Sequence, residues 1–312
     1  MYSDTFMTQM GLLVSEWPVV IGADASGVVV EASPEAESKY NLKAGTYVCG
    51  CTRLGMTQYA AGQEYFLMDA QVAIPKPKNV DLIQAATLGA SLETAALAVF
   101  QGLHIDLFDP DVEQAKKDGW VVVLGGGSSV GAAAVQLLRV AGYKVLASAS
   151  ERSADTVKTL GAETFDYKTS IEEQVSKVLK ITDGNIAGIF DAAASDNPLV
   201  AKELFKHESW KSELKLFTTT NDWSNIGSWH GGKTHEIELG PIGRPTPDAT
   251  ELNNDLEKYI PLLVKLVENG KIKTGEYEVI GEGGFEDIIK AYKHKAGGAS
   301  GQRKIVVKVQ DE

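Results

Sequence analysis

Residues 120–131 constrain the fold of this chain more than any other stretch. An apolar run, Trp120–Leu124, is followed by three glycines and then by the tetrapeptide Ser-Ser-Val-Gly. This order predicts a buried strand, a tight turn and the start of a helix, because glycine lets the backbone turn sharply and approach a ligand without a Cβ clash. Backbone amides and the helix dipole then converge on one place, which suits the pyrophosphate of a dinucleotide.

The glycine pattern departs from the G-x-G-x-x-G fingerprint at its middle position. When Gly131 is taken as the last glycine, the three positions are Gly126, Ser128 and Gly131. The hydroxyl of Ser128 could itself donate a hydrogen bond to a phosphate oxygen. Apolar residues recur at helical spacing over residues 130–141, and Gly142 ends the predicted helix.

Strands and helices alternate after this turn. We predict strands over residues 144–148, 163–167, 186–191 and 214–218, with helices over 154–160, 171–179 and 199–205. Alternation at this spacing predicts a parallel sheet that helices cover on both faces. Ligands of such sheets bind beyond the carboxyl ends of the strands.

The end of the second strand bears on the choice between NAD and NADP. An NAD site usually places Asp or Glu there to bind the ribose hydroxyls. In this chain the strand runs into Ser150, and Glu151 and Arg152 follow it. Because a guanidinium binds phosphate through two hydrogen bonds, Arg152 and the hydroxyl favour the 2′-phosphate of NADP. The alternative is that Arg152 is a solvated surface residue and Glu151 binds the ribose.

The flanking regions have a different pattern. Residues 1–93 predict short strands over 25–31, 46–51, 63–67 and 72–74, separated by glycine and proline. After residue 235 the pattern predicts helices over 252–268 and 285–292 and a last strand over 304–309. We therefore expect a β-rich domain, formed by residues 1–93 and 239–312, around an inserted nucleotide-binding domain of residues 94–238. The cleft between the two domains is the expected active site.

Composition narrows the class of protein. The 312 residues are 44% hydrophobic and 23% charged, as in a globular protein, and the net charge of −12 argues against nucleic acid as a partner. We find no run long enough to span a bilayer and no signal-peptide pattern, so we expect a cytoplasmic protein without a membrane partner. Cys49 and Cys51 stand two positions apart, which predicts reduced, half-buried thiols and neither a disulfide nor a zinc site.

Four segments match a known enzyme superfamily in order and spacing. They are residues 17–29 (WPVVIGADASGVV), 125–131 (GGGSSVG), 160–167 (LGAETFDY) and 300–307 (SGQRKIVV). Together they resemble the zinc-independent branch of the medium-chain dehydrogenase/reductase superfamily, especially its quinone-oxidoreductase-like members and fungal trans-acting enoyl reductases. The resemblance implies an α/β fold in which a doubly wound Rossmann sheet is inserted in a GroES-like, β-rich catalytic domain. It also implies NADP as the cofactor.

The resemblance further implies which residues bind. Those that would contact the pyrophosphate are Gly127, Ser128, Ser129 and Val130. Those that would surround the 2′-phosphate are Ser150, Arg152 and Ser153, and Tyr167 would lie along the adenosine. Those that would line the substrate side are Thr94, Leu239, Gly240 and Pro241.

The chain departs from the superfamily pattern in two ways. Zinc-dependent relatives carry Gly-His-Glu where this chain has Gly22, Ala23 and Asp24, and they have a four-cysteine lobe that is absent here. We therefore expect no metal site. Relatives also begin with extra strands and an Asn-Pro-x-Asp segment, so we expect an N-terminally shortened β-rich domain.

A superfamily member without zinc lacks the Lewis acid that polarises an alcohol or carbonyl oxygen. Hydride delivery to an already polarised acceptor, such as an enone, an enoyl group or a quinone, then needs only a hydrogen-bond donor at the oxygen. We take Tyr59 as that catalytic donor, with Tyr65 as a second candidate. The alternative for both is an ordinary packed aromatic side chain.

Two other functions remain open at this stage. One is a metal-independent carbonyl or alcohol oxidoreductase, and the other is a cofactor-binding protein with little or no turnover. In the enzyme case the partner is a small-molecule substrate, and we expect a monomer or a homodimer. The aromatic loop with Trp223, Trp229 and His230 is either a lid over the substrate or a surface loop packed on the protein's own core.

Overall fold

The computed structural model describes residues 2–193, 197–221, 229–296 and 303–310. Trp223 and residues 300–302 of the last matched segment lie outside these ranges. The chain groups into two compact units: unit 1 comprises Met1–Glu93 and Leu239–Glu312, and unit 2 comprises Thr94–Glu238.

The strands are short and occur in both units. In chain order they are β1 (Asp24–Val28), β2 (Tyr47–Cys51), β3 (Ile74–Pro75), β4 (Trp120–Leu124), β5 (Lys144–Ala149), β6 (Glu163–Asp166), β7 (Ile186–Asp191), β8 (Leu216–Thr219), β9 (Lys233–Glu236), β10 (Tyr277–Val279) and β11 (Lys304–Val306).

The helices follow the same order. They are α1 (Tyr2–Met10), α2 (Pro34–Tyr40), α3 (Leu82–Ala85), α4 (Gly89–Ala96), α5 (Ser129–Val140), α6 (Glu151–Thr159), α7 (Ile171–Thr182), α8 (Asn197–Lys206), α9 (Thr250–Glu268) and α10 (Phe285–Ala296). A π-helical segment, Leu97–Gly102, continues α4, and single 3₁₀ turns occur at Thr57–Tyr59 and Pro247–Ala249. In the described ranges, no helix combines the length and the apolar character that crossing a membrane requires.

Unit 2 is built on a parallel sheet, which confirms the predicted doubly wound α/β fold. Its described strands are ordered β6-β5-β4-β7-β8-β9, and every neighbouring pair is parallel. The chain runs outward from β4 to β6 and then returns to β7 on the other side of β4. The strand order therefore reverses between β4 and β7, and a crevice for a ligand forms at such a point.

The core of unit 2 explains why the sheet could be predicted from sequence. The central strands are apolar on both faces, and their side chains pack against the inner faces of α7 and α8. Among the fully buried side chains are Leu124, Leu146, Ile189 and Phe217. Buried parallel strands give continuous apolar runs, and these are what the sequence contains over β4, β5 and β7.

Strand β9 was not predicted. The sequence analysis predicts a loop with Trp229 and His230 and no strand directly after it, whereas in the structure His235 lies within β9 and pairs with Thr218 of β8. The segment Lys-Thr-His-Glu has no apolar alternation because β9 is the edge strand and most of its side chains are exposed. A polar edge strand of this kind protects the sheet against further pairing, and it gives little sequence signal.

The predicted strand over residues 63–67 of unit 1 is wrong. The amide of Leu67 donates to the carbonyl of Gln58, and the Gln63 side chain donates to the carbonyls of Thr57 and Ala60. These local hydrogen bonds fold the segment back onto the preceding turn. The sheet of unit 1 contains instead the antiparallel strands β1, β2 and β3, with a separate parallel pair, β10 and β11.

The two cysteines on β2 are more deeply buried than the sequence predicts. Cys49 and Cys51 are 0% and 2% exposed and form no disulfide, so the prediction of half-buried thiols is wrong. Burial raises the pKa of Cys49 to about 12 and raises the pKa of Cys51 well above its usual value. Because the thiolate is the reactive form, these are inert packing residues.

Candidate functional site

The glycine turn of unit 2 is fixed by the strand beside it. Gly125 follows β4 with φ of +90°, a value that favours glycine. The amide of Ser128 donates a hydrogen bond to the carbonyl of Gly125 at 2.9 Å. From β5, the Ser148 hydroxyl accepts from the Gly125 amide at 2.7 Å, and the Ser148 carbonyl accepts from the Gly126 amide at 2.9 Å. Ser148 is 1% exposed. Sequence reasoning did not assign this bracing role to Ser148.

Close packing explains why glycine is needed at two of the fingerprint positions. A Cβ on Gly126 would lie 2.6 Å from the Cβ of Ala147, and a Cβ on Gly131 would lie 2.2 Å from the carbonyl oxygen of Gly125. Helix α5 therefore starts in direct contact with the turn that precedes it. This is the packing that the third glycine of a dinucleotide fingerprint provides.

The first turn of α5 leaves backbone amides available. Ser128 is the N-cap: its hydroxyl accepts from the Gly131 amide at 2.9 Å and donates to the carbonyl of Ala192 at 3.1 Å. The hydroxyl hydrogen of Ser128 is thus used inside the chain. In the described ranges, the amides of Gly127, Ser129 and Val130 have no hydrogen-bond acceptor. Three partnerless amides at the positive end of a helix dipole fit the pyrophosphate of a dinucleotide.

The residues predicted to surround a 2′-phosphate meet at the start of α6. Ser150 is its N-cap, and the hydroxyls of Ser150 and Ser153 lie 3.0 Å apart in a reciprocal capping box. Glu151 and Arg152 are both exposed in the first turn. Within the described residues the Arg152 guanidinium forms no ion pair or hydrogen bond, so it is available to a ligand. Tyr167, which directly follows β6, is 42% exposed.

The sequence analysis did not assign to the site a buried carboxylate at the end of β7. Asp191 is fully buried beside Leu124, at the point where the strand order reverses. It accepts hydrogen bonds from the side chains of Asn197 (2.7 Å), Thr219 (3.0 Å) and Asn221 (3.2 Å). Burial raises the pKa of Asp191, and these donors oppose that rise. The available signal was an acid directly after a buried apolar strand.

Trp229 bears on the two interpretations of the aromatic loop. Its ring stacks on Phe217 at a centroid distance of 4.8 Å and meets Phe205 at 6.2 Å. Trp229 therefore packs on the core of unit 2, which favours the surface-loop interpretation for this residue. His230 is exposed, with φ of +48°.

Tyr59, the predicted hydrogen-bond donor, lies in unit 1 under a guanidinium. The Arg53 Cζ atom is 4.2 Å from the centroid of the Tyr59 ring. Arg53 in turn binds Asp69 through two hydrogen bonds, of 2.7 and 2.5 Å. The Tyr59 hydroxyl has no hydrogen-bond partner within the described ranges. Tyr65 is 67% exposed and shows no such arrangement.

The segment Leu239, Gly240 and Pro241 begins the second part of unit 1. It forms two consecutive turns, in which Ile242 donates to Leu239 and Arg244 donates to Pro241. The Arg244 side chain then reaches the carbonyl of Leu54 at 2.9 Å, one residue from Arg53. The predicted substrate segment and Tyr59 therefore connect to the same short stretch of unit 1. Thr94, at the start of unit 2, is 6% exposed.

Asp24, which stands where zinc-dependent relatives carry the Glu of Gly-His-Glu, and the neighbouring carboxyl of Glu93 have partners within the chain. Asp24 accepts from the Ala90 amide at 2.6 Å and forms an ion pair with Lys304 at 2.6 Å. Glu93 is completely buried; its Oε2 accepts from the Cys51 amide at 3.3 Å, and its Oε1 has no partner among the described residues. Burial, followed by the charge of Asp24, raises the pKa of Glu93 well above its usual value. Across the described ranges, no group of three or more His, Cys, Asp or Glu could hold a metal ion.

Comparisons with known proteins give relatives along most of the chain. Over 303 residues, 92% of this chain and 78% of the relative, it is 28% identical to the trans-enoyl reductase poxP of Penicillium oxalicum. Over 267 residues, 80% of this chain and 73% of the relative, it is 30% identical to a zinc-type alcohol dehydrogenase-like protein of Schizosaccharomyces pombe. A third match, 34% over 185 residues to the trans-enoyl reductase pvhC of Talaromyces variabilis, spans 58% of this chain and 50% of that relative. No family model matches the chain.

Solved structures share the fold. An alcohol dehydrogenase superfamily protein from Novosphingobium aromaticivorans has a TM-score of 0.73 at 21% identity and covers 98% of this chain and 88% of its own. A quinone oxidoreductase from Pseudomonas syringae pv. tomato has a TM-score of 0.69 at 19% identity, and the match covers 99% of this chain and 87% of that protein. A mycobacterial protein in complex with NADPH has a TM-score of 0.69 at 15% identity, and the match covers 99% of this chain and 88% of that protein.

Proposed function

The chain belongs to the medium-chain dehydrogenase/reductase superfamily, and from that premise we propose that it is an NADPH-dependent reductase that works without zinc. It delivers hydride to an activated C=C bond, in an enone or enoyl group, or to a quinone. The observation that carries the reaction type is the match to a trans-enoyl reductase over 92% of the chain. The pombe relative supports the superfamily assignment on its own, because 30% identity extends over 73% of its length.

The glycine turn binds the dinucleotide in this proposal. The amides of Gly127, Ser129 and Val130 donate to the pyrophosphate, since they have no acceptor among the described residues. Ser128 acts by capping α5 and by tying the turn to Ala192, because its hydroxyl hydrogen is already used. When bound, the nicotinamide supplies the hydride.

We propose NADP over NAD on the strength of Arg152. Its guanidinium is exposed and without a partner among the described residues, at the N-terminus of α6 where an anion is favoured. Ser150 and Ser153 shape the start of this helix through their capping box. We assign Tyr167 to the adenosine because the resemblance implies it. The alternative is NAD, in which case Glu151 of the same turn would bind the ribose hydroxyls and Arg152 would be a surface residue.

On the substrate side, Tyr59 donates a hydrogen bond to the carbonyl or quinone oxygen. Negative charge develops on that oxygen during hydride transfer, so a positioned O–H group stabilises the transition state. The partnerless hydroxyl of Tyr59 supports this role. We assign substrate contacts to Thr94, Leu239, Gly240 and Pro241 because the resemblance implies them.

Zinc independence is supported by the chemistry of the residues at the ligand positions. Ala23 cannot bind a metal, and Asp24 is already bound by Lys304 and the Ala90 amide. A cysteine binds a metal as its thiolate, and burial raises the pKa of both Cys49 and Cys51. The purified protein is therefore expected to hold no stoichiometric zinc and to keep its activity in a chelator; one tightly bound zinc per chain would contradict this.

A second candidate function, a metal-independent carbonyl or alcohol oxidoreductase, follows from the name of the pombe relative. Product analysis separates the two, because a C=C reductase yields the saturated ketone or thioester and a carbonyl reductase yields the allylic alcohol.

The test is an NADPH-oxidation assay at 340 nm with an enone, an enoyl thioester, a benzoquinone and a simple ketone, each followed by mass spectrometry of the product. We expect turnover of one of the first three and none of the ketone. Tight NADPH binding without oxidation of any acceptor would overturn the proposal in favour of a cofactor-binding protein.

A further inference from the structure

The Tyr59 ring packs against the guanidinium of Arg53. The guanidinium lies over the ring face at 4.2 Å, within the range of a cation–π contact. Only 13% of the Arg53 side chain and 18% of the Asp69 side chain are exposed. Because Asp69 binds Arg53 through both of its oxygens, the plane of the guanidinium is fixed, and a single-point contact would leave it free to rotate.

The backbone that carries Tyr59 is held separately. Tyr59 ends a 3₁₀ turn in which its amide donates to the carbonyl of Met56 at 2.9 Å. The Gln63 side chain closes the turn by donating to the carbonyls of Thr57 and Ala60, at 2.6 and 2.9 Å. The main chain is therefore fixed without Arg53, and what Arg53 controls is the side-chain torsion of Tyr59.

Asp69 also contacts the turn that directly follows the segment we assign to substrate binding. Gly243, two residues beyond Pro241, has φ of +71°, and a Cβ there would lie 2.2 Å from Oδ2 of Asp69. The carboxylate thus packs directly on the backbone of this turn. Arg244 adds a second link to the same stretch by donating to the carbonyl of Leu54.

Burial raises the pKa of Asp69, and the hydrogen bonds from Arg53 oppose that rise. Desolvation of this kind makes a largely buried ion pair costly unless its geometry is good. A pair that only filled space could be replaced by apolar side chains. The pair lies between Tyr59 and the turn of residues 239–244 and is close to both.

We propose that Arg53 and Asp69 are positioning residues that hold the Tyr59 hydroxyl towards the substrate carbonyl and connect it to the turn of residues 239–244. This inference rests on the proposed function and adds to it the residues that place the hydrogen-bond donor. Arg53 and Asp69 do not touch the reacting atoms themselves; they act through Tyr59.

The test is a double-mutant cycle in the full chain with Arg53→Met, Tyr59→Phe and the double variant. We expect Arg53→Met to lower kcat by at least about tenfold, since loss of a donor to an oxyanion costs about 10²–10³ in kcat. It should leave the NADPH dissociation constant within about twofold, because the described contacts of Arg53, with Asp69 and Tyr59, include no residue that we assign to the cofactor. In the Tyr59→Phe background, Arg53→Met should cause no further loss. Arg53→Lys should restore only part of the rate, because lysine cannot bind both oxygens of Asp69.

Gly243→Ala displaces the Asp69 carboxylate without removing a charge, and it should reproduce a milder form of the same defect. Lys39→Met is the matched control: Lys39 also pairs with a carboxylate in unit 1, Glu257, but the pair is more exposed, with 49% and 32% of the side chains accessible. An equal loss from Arg53→Met in both backgrounds would overturn the proposal, because it would show a general structural effect.

A readout independent of activity separates this inference from the proposed function. Nitration of Tyr59 by tetranitromethane, followed by peptide mass spectrometry, should accelerate several-fold in Arg53→Met and stay unchanged in Lys39→Met. If the wild-type chain reduces no acceptor but nitration responds as expected, the proposed function fails, and only the dependence of the Tyr59 ring on Arg53 is retained. If the chain is active but neither the cycle nor the nitration rate responds, the positioning role fails alone.

Discussion

At the scale of single residues, the choice of cofactor comes down to two neighbouring side chains. Glu151 and Arg152 are both exposed in the first turn of α6. The carboxylate of Glu151 could accept hydrogen bonds from ribose hydroxyls, and the guanidinium of Arg152 could donate hydrogen bonds to a 2′-phosphate. The strand-end pattern in the sequence narrows the question to this pair. The sequence cannot decide between NAD and NADP, because that choice depends on contacts with the bound ligand and not on packing within the chain.

Arg152→Ala should weaken NADPH binding and leave NADH binding nearly unchanged. Loss of a charged hydrogen bond to phosphate corresponds to about 1–3 kcal/mol, or roughly 5- to 150-fold in Kd. Fluorescence titration of both cofactors measures this, with Glu151→Gln as the neighbouring control. Equal Kd values for the two cofactors in the wild type would show that Arg152 is only a surface residue.

Glu93 should make unit 1 less stable as the pH rises. Its pKa is raised in the folded state, so the folded chain holds the proton more tightly than the unfolded chain. The stabilisation is complete below the unfolded value of about 4.3 and is lost as the pH rises towards the folded value. Glu93→Gln keeps the neutral form, so we expect a flatter dependence of the unfolding free energy between pH 5 and pH 8.

Urea denaturation at the two pH values measures the Glu93 effect, and hydrogen exchange of peptides from β2 localises it to unit 1. The exposed residue Glu31 supplies the control, because Glu31→Gln should leave the pH dependence as it is in the wild type. A Glu93→Gln curve parallel to that of the wild type would show that the carboxyl is ionised in the folded protein.

At the scale of helices and strands, predictability followed burial. Strands β4, β5 and β7 and helix α9 have strong apolar patterns, and the sequence places them within a few residues of their observed bounds. The predictions for β9 and for residues 63–67 were wrong for opposite reasons. The first is a strand whose exposed side chains carry no pattern, and the second has strand-like residues that local hydrogen bonds to Gln58, Thr57 and Ala60 hold in turns.

The same logic separates the parts of the candidate site. The glycine turn could be predicted because its constraint is local: Gly126 and Gly131 leave room for neighbouring backbone and Cβ atoms. Ser148 and Asp191 could not, since their roles arise only when distant strands are brought together by the sheet. Arg53 likewise reaches Tyr59 and Asp69 through tertiary packing, without a local motif.

Gly131→Ala should disrupt the junction between the turn and α5. The added methyl would lie 2.2 Å from the Gly125 carbonyl oxygen, so the helix must move away. We expect a loss of about 1–3 kcal/mol in stability from overpacking, together with weaker NADPH binding. Gly275→Ala is the control, because a Cβ there has no atom within 4 Å. Calorimetry and NADPH titration measure both effects; a Gly131→Ala protein with wild-type affinity would contradict the assigned role of the turn.

At the scale of the whole molecule, unit 1 is made of two separated stretches of chain. The ion pair of Asp24 with Lys304 joins them, with only 11% and 12% of the two side chains exposed. Lys304 also donates to the carbonyl of Thr87, so it contacts two parts of the first stretch. Unit 2, by contrast, is one continuous stretch with its own sheet and core.

Lys304→Met should loosen unit 1 and spare unit 2. Breaking a largely buried pair leaves Asp24 without its counter-charge, which costs about 3–5 kcal/mol. Hydrogen-exchange mass spectrometry should show faster exchange in β1 and β2, while β4, β5 and β7 and the NADPH dissociation constant stay as in the wild type. Uniformly faster exchange in both units would mean that they unfold as a single cooperative body.

The divided course of unit 1 sets an order of events on the ribosome. Unit 2 is complete once Glu238 has emerged, but Asp24 must wait for Lys304, which is synthesised after the whole of unit 2. At about 5–20 residues per second, the N-terminal stretch stays without its partner for several seconds after the inserted unit can fold. The nascent chain therefore completes unit 2 before residues 1–93 can contact the second stretch of unit 1.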